Sequence, residues 1–342
     1  MNPGTLLIRA DANAHIGSGH VMRCLALAQA WQDAGGAAVL AAAELPSSTE
    51  KRLLGENVEV VRLEAEAGTE GDATEAATLG CARGVRWVVV DGEQFTSDYL
   101  AIVNKCGLKI LWLDDFGNTP HNAADLILNQ NPGVTRESYD WCREDHRLLV
   151  GTDYVLLRRE FRLARGREEK PGAVQSLLLT FGGSDPDGLT DNVLPALGGD
   201  SPDLTITAVV GGGNPRLVAL RRLAASLDVN LVEDAADMPG LMMRSDMAVI
   251  VGGGTLWELL YCGCAVLSYS RNSVQARVIA QLAKTGAVGD LGLVSEFDPG
   301  RLRAEVRRLA GAAAEREQMQ SAGRRIVDGD GVLRVLRALN GE

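Results

Sequence analysis

Short apolar runs, each closed by glycine, acid or amide residues, recur along the chain, and between them apolar positions return every three or four residues. That alternation predicts βα units, with parallel sheets flanked by helices. Leu6, Leu7 and Ile8 predict a buried first strand, ended by the polar segment 9–14. Val21, Leu25 and Ala28 recur at helical spacing, so a helix begins near His20. Residues 37–43 and 58–63 read as the second and third strands with a helix between them, and 65–83, rich in Ala, Glu and Thr, as a helix. The run 87–92 is a β-branched strand that delivers Asp91 to the carboxyl edge of its sheet, where ligands of open α/β sheets bind. Ile110 to Leu113 delivers Asp114 and Asp115 in the same way, for acid–base or hydrogen-bonding work or for capping. The stretch 125–132 ends in amides that suit sugar hydroxyls or a turn.

The segment 158–172 is strongly charged and ends in Lys170, Pro171 and Gly172, which marks it as a linker. Beyond it the alternation starts afresh. A strand over 177–181 runs into Gly182, Gly183, Ser184 and Asp185, and a helix follows Asp187. Strands follow at 205–210, which ends in Gly211 to Gly213, at Leu231 and Val232, at 247–251 and at 265–269. Asn272 and Gln275 fall in a loop, and 296–339 is helical with charged faces.

Composition narrows what these units do. At 342 residues the chain exceeds what one hydrophobic core ordinarily serves, and 46% hydrophobic residues is a globular content, so two domains are expected. They fall at 1–165 and 172–330, with 331–342 as a tail or the end of a closing helix. A formal net charge of -11 argues against nucleic acid or an anionic membrane as the main partner. A phosphate-bearing ligand then has to be held by local donors. Cys24, Cys81, Cys106, Cys142, Cys262 and Cys264 include no Cys-x-x-Cys pair, so neither a zinc cage nor a disulfide framework is expected. His15, His20, His121 and His146 lack metal-ligand spacing, and no metal or cofactor is expected. With no signal peptide and no apolar stretch long enough to span a bilayer, a cytoplasmic location without membrane insertion is expected.

Two stretches carry candidate chemistry. In the first, Gly17 and Gly19 turn the chain between strand and helix and let a ligand approach the main chain. His20 then lies in the first helical turn, where free N–H groups and the positive end of the dipole suit an anion. A neutral imidazole there is a candidate general base; an ordinary turn with an N-terminal cap is the alternative. In the second, Gly252, Gly253 and Gly254 with Thr255 open a helix after a strand and form a diphosphate cradle, and Glu258, one turn on, can accept from ribose hydroxyls. Tight strand–helix packing would call for the same glycines. The Gly182-Gly183-Ser184 turn offers further N–H groups to a phosphate.

RADANAHIGSGHVMRCLALA near the start, DDFGNTPHNAADLILN, YVLLRREF, FGGSD and RNSVQ occur in this order over most of the length. With these stretches the chain resembles the UDP-sugar hydrolases of pseudaminic acid biosynthesis, which remove UDP from UDP-2,4-diacetamido-2,4,6-trideoxy-β-L-altropyranose. It is also similar, through DMPGLMMRSDMAVIVGGGTLWELLYCGCAVL, to the GT-B glycosyltransferases, especially the enzyme that adds N-acetylglucosamine in lipid II formation. The resemblance implies an α/β GT-B fold: two Rossmann-like domains facing a cleft, with nucleotide on the C-terminal domain and the sugar on the N-terminal one. It implies His20 as the catalytic residue and Asn272 as an active-site asparagine. By the same analogy Gly254 and Thr255 meet the diphosphate and Glu258 the ribose. Arg9, Asp11, Gly17, Gly19, Asp91, Glu93, Gln94, Asp115 and Gln275 are the further residues expected at the substrate, and Gly182, Gly183, Ser184 and Gly253 those expected at the nucleotide. Where family members that process the pseudaminic precursor show Asp-His-Tyr, this chain has Asp91, Gly92 and Glu93, so Glu93, Gln94 or Phe95 must supply the corresponding contacts.

The expected activity is hydrolysis of a UDP-linked amino-deoxy sugar at the anomeric carbon, without a metal. The rivals are a GT-B transferase, in which His20 activates an acceptor hydroxyl, and a non-catalytic nucleotide-sugar-binding subunit. The expected partners are a UDP-sugar and other surface-glycan enzymes.

Overall fold

The computed structural model describes residues 3–13, 16–117, 120–142, 146–164, 176–198, 204–212 and 214–341. His15, Gly213 and the end of the 158–172 stretch therefore lie outside the described residues. The chain divides into two compact units, one made of 1–159 with 329–342 and the other of 160–328.

The first unit alternates β1 (Thr5–Ala10), α1 (Gly19–Asp33), β2 (Ala37–Ala42), α2 (Ser47–Gly55), β3 (Glu59–Arg62), α3 (Glu70–Ala82), β4 (Trp87–Asp91), α4 (Ser97–Lys105) and β5 (Lys109–Leu113), followed by β6 (Leu126–Asn129) and β7 (Arg147–Val150). Its seven strands are parallel, in the order β3-β2-β1-β4-β5-β6-β7. The side-chain period of two in a strand sorts β1: Leu6, Ile8 and Ala10 join α1 in one core, and Leu7 joins α3 and α4 in the other. The polar Arg9 was expected to end β1. Instead it pairs with Ala41 and continues the strand, because carboxylates buried on the α3 side satisfy its guanidinium.

The second unit holds α5 (Arg159–Leu163), β8 (Ser176–Thr180), α6 (Leu189–Leu197), β9 (Thr205–Val210), α7 (Leu217–Ser226), β10 (Asn230–Glu233), α8 (Met238–Arg244), β11 (Met247–Val251), α9 (Gly254–Cys262), β12 (Ala265–Ser270), α10 (Ser273–Lys284), β13 (Val288–Leu293), α11 (Pro299–Gly311) and α12 (Ala313–Ile326). Its six strands run parallel in the order β10-β9-β8-β11-β12-β13. The start of the expected linker is helical: Phe161 of α5 is fully buried, which an open linker would not allow. Of the expected tail, Gly331–Asn340 forms a helix, α13, which belongs to the first unit. Val332, Val335, Ala338 and Leu339 enter the core beside α1.

In both sheets the strand order reverses once, between β1 and β4 in the first unit and between β8 and β11 in the second. Loops leaving the carboxyl ends of these paired strands part in opposite directions and leave a crevice, the usual ligand position in such sheets.

Candidate functional site

Around the first reversal point, the Oδ1 of Asn13 accepts from the Ile16 N–H at 2.9 Å and its carbonyl accepts from Gly17 N at 2.9 Å. Gly17 takes a φ of +71, which favours glycine. Ser18, the residue before α1, makes no side-chain cap, so the first-turn N–H groups are not taken up by a side chain. Partly exposed His20 sits in that turn, and its ring makes no hydrogen bond to another described residue.

Three residues on, on the same helix face, Arg23 organises the carboxylates. It donates from Nε to Asp91 Oδ2 and from Nη2 to Asp91 Oδ1, both at 2.6 Å, and from Nη1 to Asp115 Oδ1 at 2.8 Å. Burial tends to raise the Asp115 carboxyl, but Arg23, with smaller help from His20 and Asn131, holds it below the ordinary range. The neighbouring acid has a different role. Asp114 is buried and accepts from Phe116 N, Gly117 N and the Tyr139 hydroxyl, so it shapes the loop. Burial, and then Asp114, push the Tyr139 hydroxyl well up, keeping it a donor.

Several expected substrate contacts turn out to be supports. Arg9 has no exposed side-chain surface and binds Asp72 twice, at 2.8 and 2.7 Å, and Asp11 at 2.8 Å. The Oδ1 of Asp11 accepts from Ala43 N and Glu44 N, and its Oδ2 from Gln94 Nε2. Asp91 is fully buried under Arg23 and Cys24. Arg9, Asp11 and Asp91 thus hold the loops, because each is enclosed and already paired. Gly17, Gly19, Glu93 and the free side of Asp115 remain open to a ligand. Gly92 has a φ of +151, and a Cβ there would lie 2.6 Å from the Gln94 carboxamide. Gln94 therefore fills the space that a larger residue 92 would claim.

In the second unit, three stretches far apart in sequence meet at one sheet edge. Arg271 donates to Asp187 and, at 2.9 Å, to the Phe181 carbonyl, tying the end of β12 to the Gly182-Gly183-Ser184 loop. Gln275 Oε1 accepts from Arg271 N at 2.9 Å, and a Cβ on Gly252 would lie 3.3 Å from that same oxygen. The expected loop around Asn272 and Gln275 is a helix start: Asn272 caps α10 by accepting from Gln275 N at 2.9 Å. A polar Asn-Ser pair reads as loop in sequence for the reason that makes it a cap.

Aspartate or asparagine side chains also cap α8 and α11 in this unit. The start of α9 has no side-chain cap, and a Cβ added at Gly253 or Gly254 meets nothing within 4 Å. No side chain takes up the first-turn N–H groups there, and Thr255 and Glu258 are partly exposed in the first turns. Arg23 and Asn131 are polar groups of the first site that sequence reasoning missed. A lone arginine in a helix otherwise buried nearly all round was the signal for Arg23.

A cavity of about 270 Å³ in the first unit lies elsewhere, at the amino edge of the sheet, lined by Arg86, Trp87, Lys109, Arg147 and the end of α13 among others. Among the described residues, no group of three or more His, Cys, Asp or Glu side chains could hold a metal ion. No helix there is long and apolar enough to cross a membrane.

No protein-family model matches the chain. It is 29% identical over 234 residues, 68% of this chain and 69% of the relative, to the spore coat polysaccharide biosynthesis protein SpsG of Bacillus subtilis. Among solved structures, Acinetobacter baumannii MurG is similar with a TM-score of 0.66 at 16% identity, covering 99% of this chain and 100% of that one. The UDP-GlcNAc 2-epimerase of Neisseria meningitidis, bound to UDP-GlcNAc, is similar with a TM-score of 0.67 at 12% identity, covering 99% and 100%. The fold is that of the GT-B class, two parallel-sheet α/β units.

Proposed function

We propose that the protein hydrolyses a UDP-linked amino-deoxy sugar at the anomeric carbon, in the making of a surface glycan. The reading is carried by the uncapped, glycine-opened start of α9, where free N–H groups and the helix dipole suit a diphosphate. The UDP-GlcNAc complex of the similar Neisseria epimerase and the polysaccharide role in the name of SpsG support the substrate class. Glu258 accepts from the ribose, and Asn272, whose Nδ2 has no partner among the described residues, donates to the ligand.

His20 takes a proton from water, the water oxygen bonds to the anomeric carbon, and the bond to UDP breaks with its electron pair going to the β-phosphate. UDP is already a competent leaving group, so donors that spread its charge and a base that aims the water suffice. A positioned base is worth about a hundred- to ten-thousand-fold. His20→Ala is expected to lose that much turnover, followed by mass spectrometry over a panel of UDP-sugars, with UDP affinity unchanged. Wild-type turnover in that variant would refute the assignment.

One observation favours a second reading, transfer to an acceptor. Ile16 and Phe116, near His20 and Asp115 in sequence, are 45% and 38% exposed, and each is an apolar side chain that a bulky acceptor would cover. Supplying acceptors separates the two: a transferase leaves little free sugar.

A further inference from the structure

The polar cluster of the first unit contains a charge that hydrolysis or transfer as described does not use. Arg23 fully occupies the buried Asp91 with two 2.6 Å bonds, and it reaches only Oδ1 of Asp115. Asn131 also donates to Oδ1, at 3.5 Å. The second oxygen, Oδ2, accepts from no described residue, and the Asp115 side chain is 26% exposed. The formal charges of Arg23, Asp91 and Asp115 leave one negative charge over, and the Asp115 carboxylate offers it through an open Oδ2. His20 is three residues before Arg23, on the face of α1 that carries Arg23 to Asp115.

We infer that Asp115 is the positioning residue of His20: when the ring turns toward it with substrate bound, Oδ2 receives the ring N–H distal to the reacting nitrogen and stabilises the imidazolium, while Arg23 fixes the carboxylate in place. This rests on His20 being the general base. When His20 takes the proton of the attacking hydroxyl, a positive charge appears beside the surplus negative one, and the four groups become neutral together. The same contact fixes the tautomer, leaving the other ring nitrogen as acceptor. A carboxylate that stays ionised is required, and Arg23 beside a partly buried Asp115 keeps it so. Of the other titratable groups packed here, the Cys24 thiol is pushed well up by burial and then by Asp91, the Tyr139 hydroxyl by burial and then by Asp114, and both stay neutral, while Asp114 is occupied by Phe116 N, Gly117 N and Tyr139.

Two measurements on Asp115→Asn test this. The ring-nitrogen NMR shifts of His20, which report which nitrogen carries the proton, change because the carboxylate no longer fixes the tautomer. Unchanged ring shifts overturn the pairing, whatever the substrate is. In steady-state assays, kcat falls at least about tenfold with little change in KM. Asp115→Glu restores part of the loss. On a His20→Ala background, Asp115→Asn costs nothing more; additive losses overturn the inference. If His20→Ala alone keeps full turnover, the general-base reading fails, and the ring-nitrogen shifts of His20 in Asp115→Asn still decide whether Asp115 pairs with His20. Circular dichroism of each variant excludes loss of fold as the cause.

Discussion

Arg9→Met asks whether Arg9 supports the fold or touches the ligand. In the native chain the guanidinium, with no exposed surface, makes two bonds to the buried Asp72 and one to Asp11, and lies 4.8 Å from the centre of the Phe95 ring. Methionine fills much of the volume and leaves both carboxylates without their counter-charge. Asp72 keeps the Tyr99 hydroxyl and the Gly68 N–H, and Asp11 keeps Ala43 N, Glu44 N and Gln94, so the loss is partial. Removing one partner of a buried pair costs about 3–5 kcal/mol, against about 5–15 kcal/mol for a whole domain. With a urea slope of about 2 kcal/mol per molar, the unfolding midpoint drops by about 2 M. Tryptophan fluorescence reports it, since Trp31, Trp87, Trp112 and Trp141 are in the first unit and only Trp257 is in the second. Adding Asp72→Asn recovers part of the loss by removing one stranded charge. An unchanged midpoint together with weakened UDP-sugar binding would show that Arg9 is a ligand contact and that the support argument is wrong.

Other outcomes follow from particular residues. Gly254→Val meets open space, so the urea midpoint stays put while UDP affinity by calorimetry falls at least about tenfold. Gly331→Ala drives a methyl into the Val155 carbonyl oxygen, backbone that has little room to yield, and lowers the stability of the first unit by about 1–3 kcal/mol in the same urea assay. His121 is buried against Trp112, and burial, opposed by Asp114, holds its ring below the ordinary 6.5. The unfolded chain therefore binds the extra proton first. Stability is full above 6.5 and declines as pH falls below it, by at most about 1.4 kcal/mol per unit. His121→Phe flattens that slope in urea titrations at a series of pH values.

The strands that show in the sequence are those buried on both faces, such as β4 and β11, because a short unbroken run of Val and Ile between turn residues fits little besides an inner strand of a parallel sheet. The strands β7 and β13 were not foreseen. The first is four residues long and opens on an arginine, and the second carries two glycines and an aspartate at the sheet edge. Local composition marks such strands as loops, and only pairing to a neighbour makes them strands. The glycine turns before α1 and α9 were legible because backbone geometry restricts those positions to few residues. The sorting of carboxylates was not: Asp91, Asp114 and Asp115 all stand at strand ends in sequence, and only the reach of Arg23 and Tyr139 divides them into buried anchors and an open one.

The placement of α13 inverts the order in which the protein is made and completed. A ribosome delivers the seven strands of the first unit early, yet the helix that packs on α1 emerges only after the whole intervening second unit. Until then that apolar face has no lid, and the nascent chain has to keep it from sticking elsewhere while the later-born half is able to close by itself.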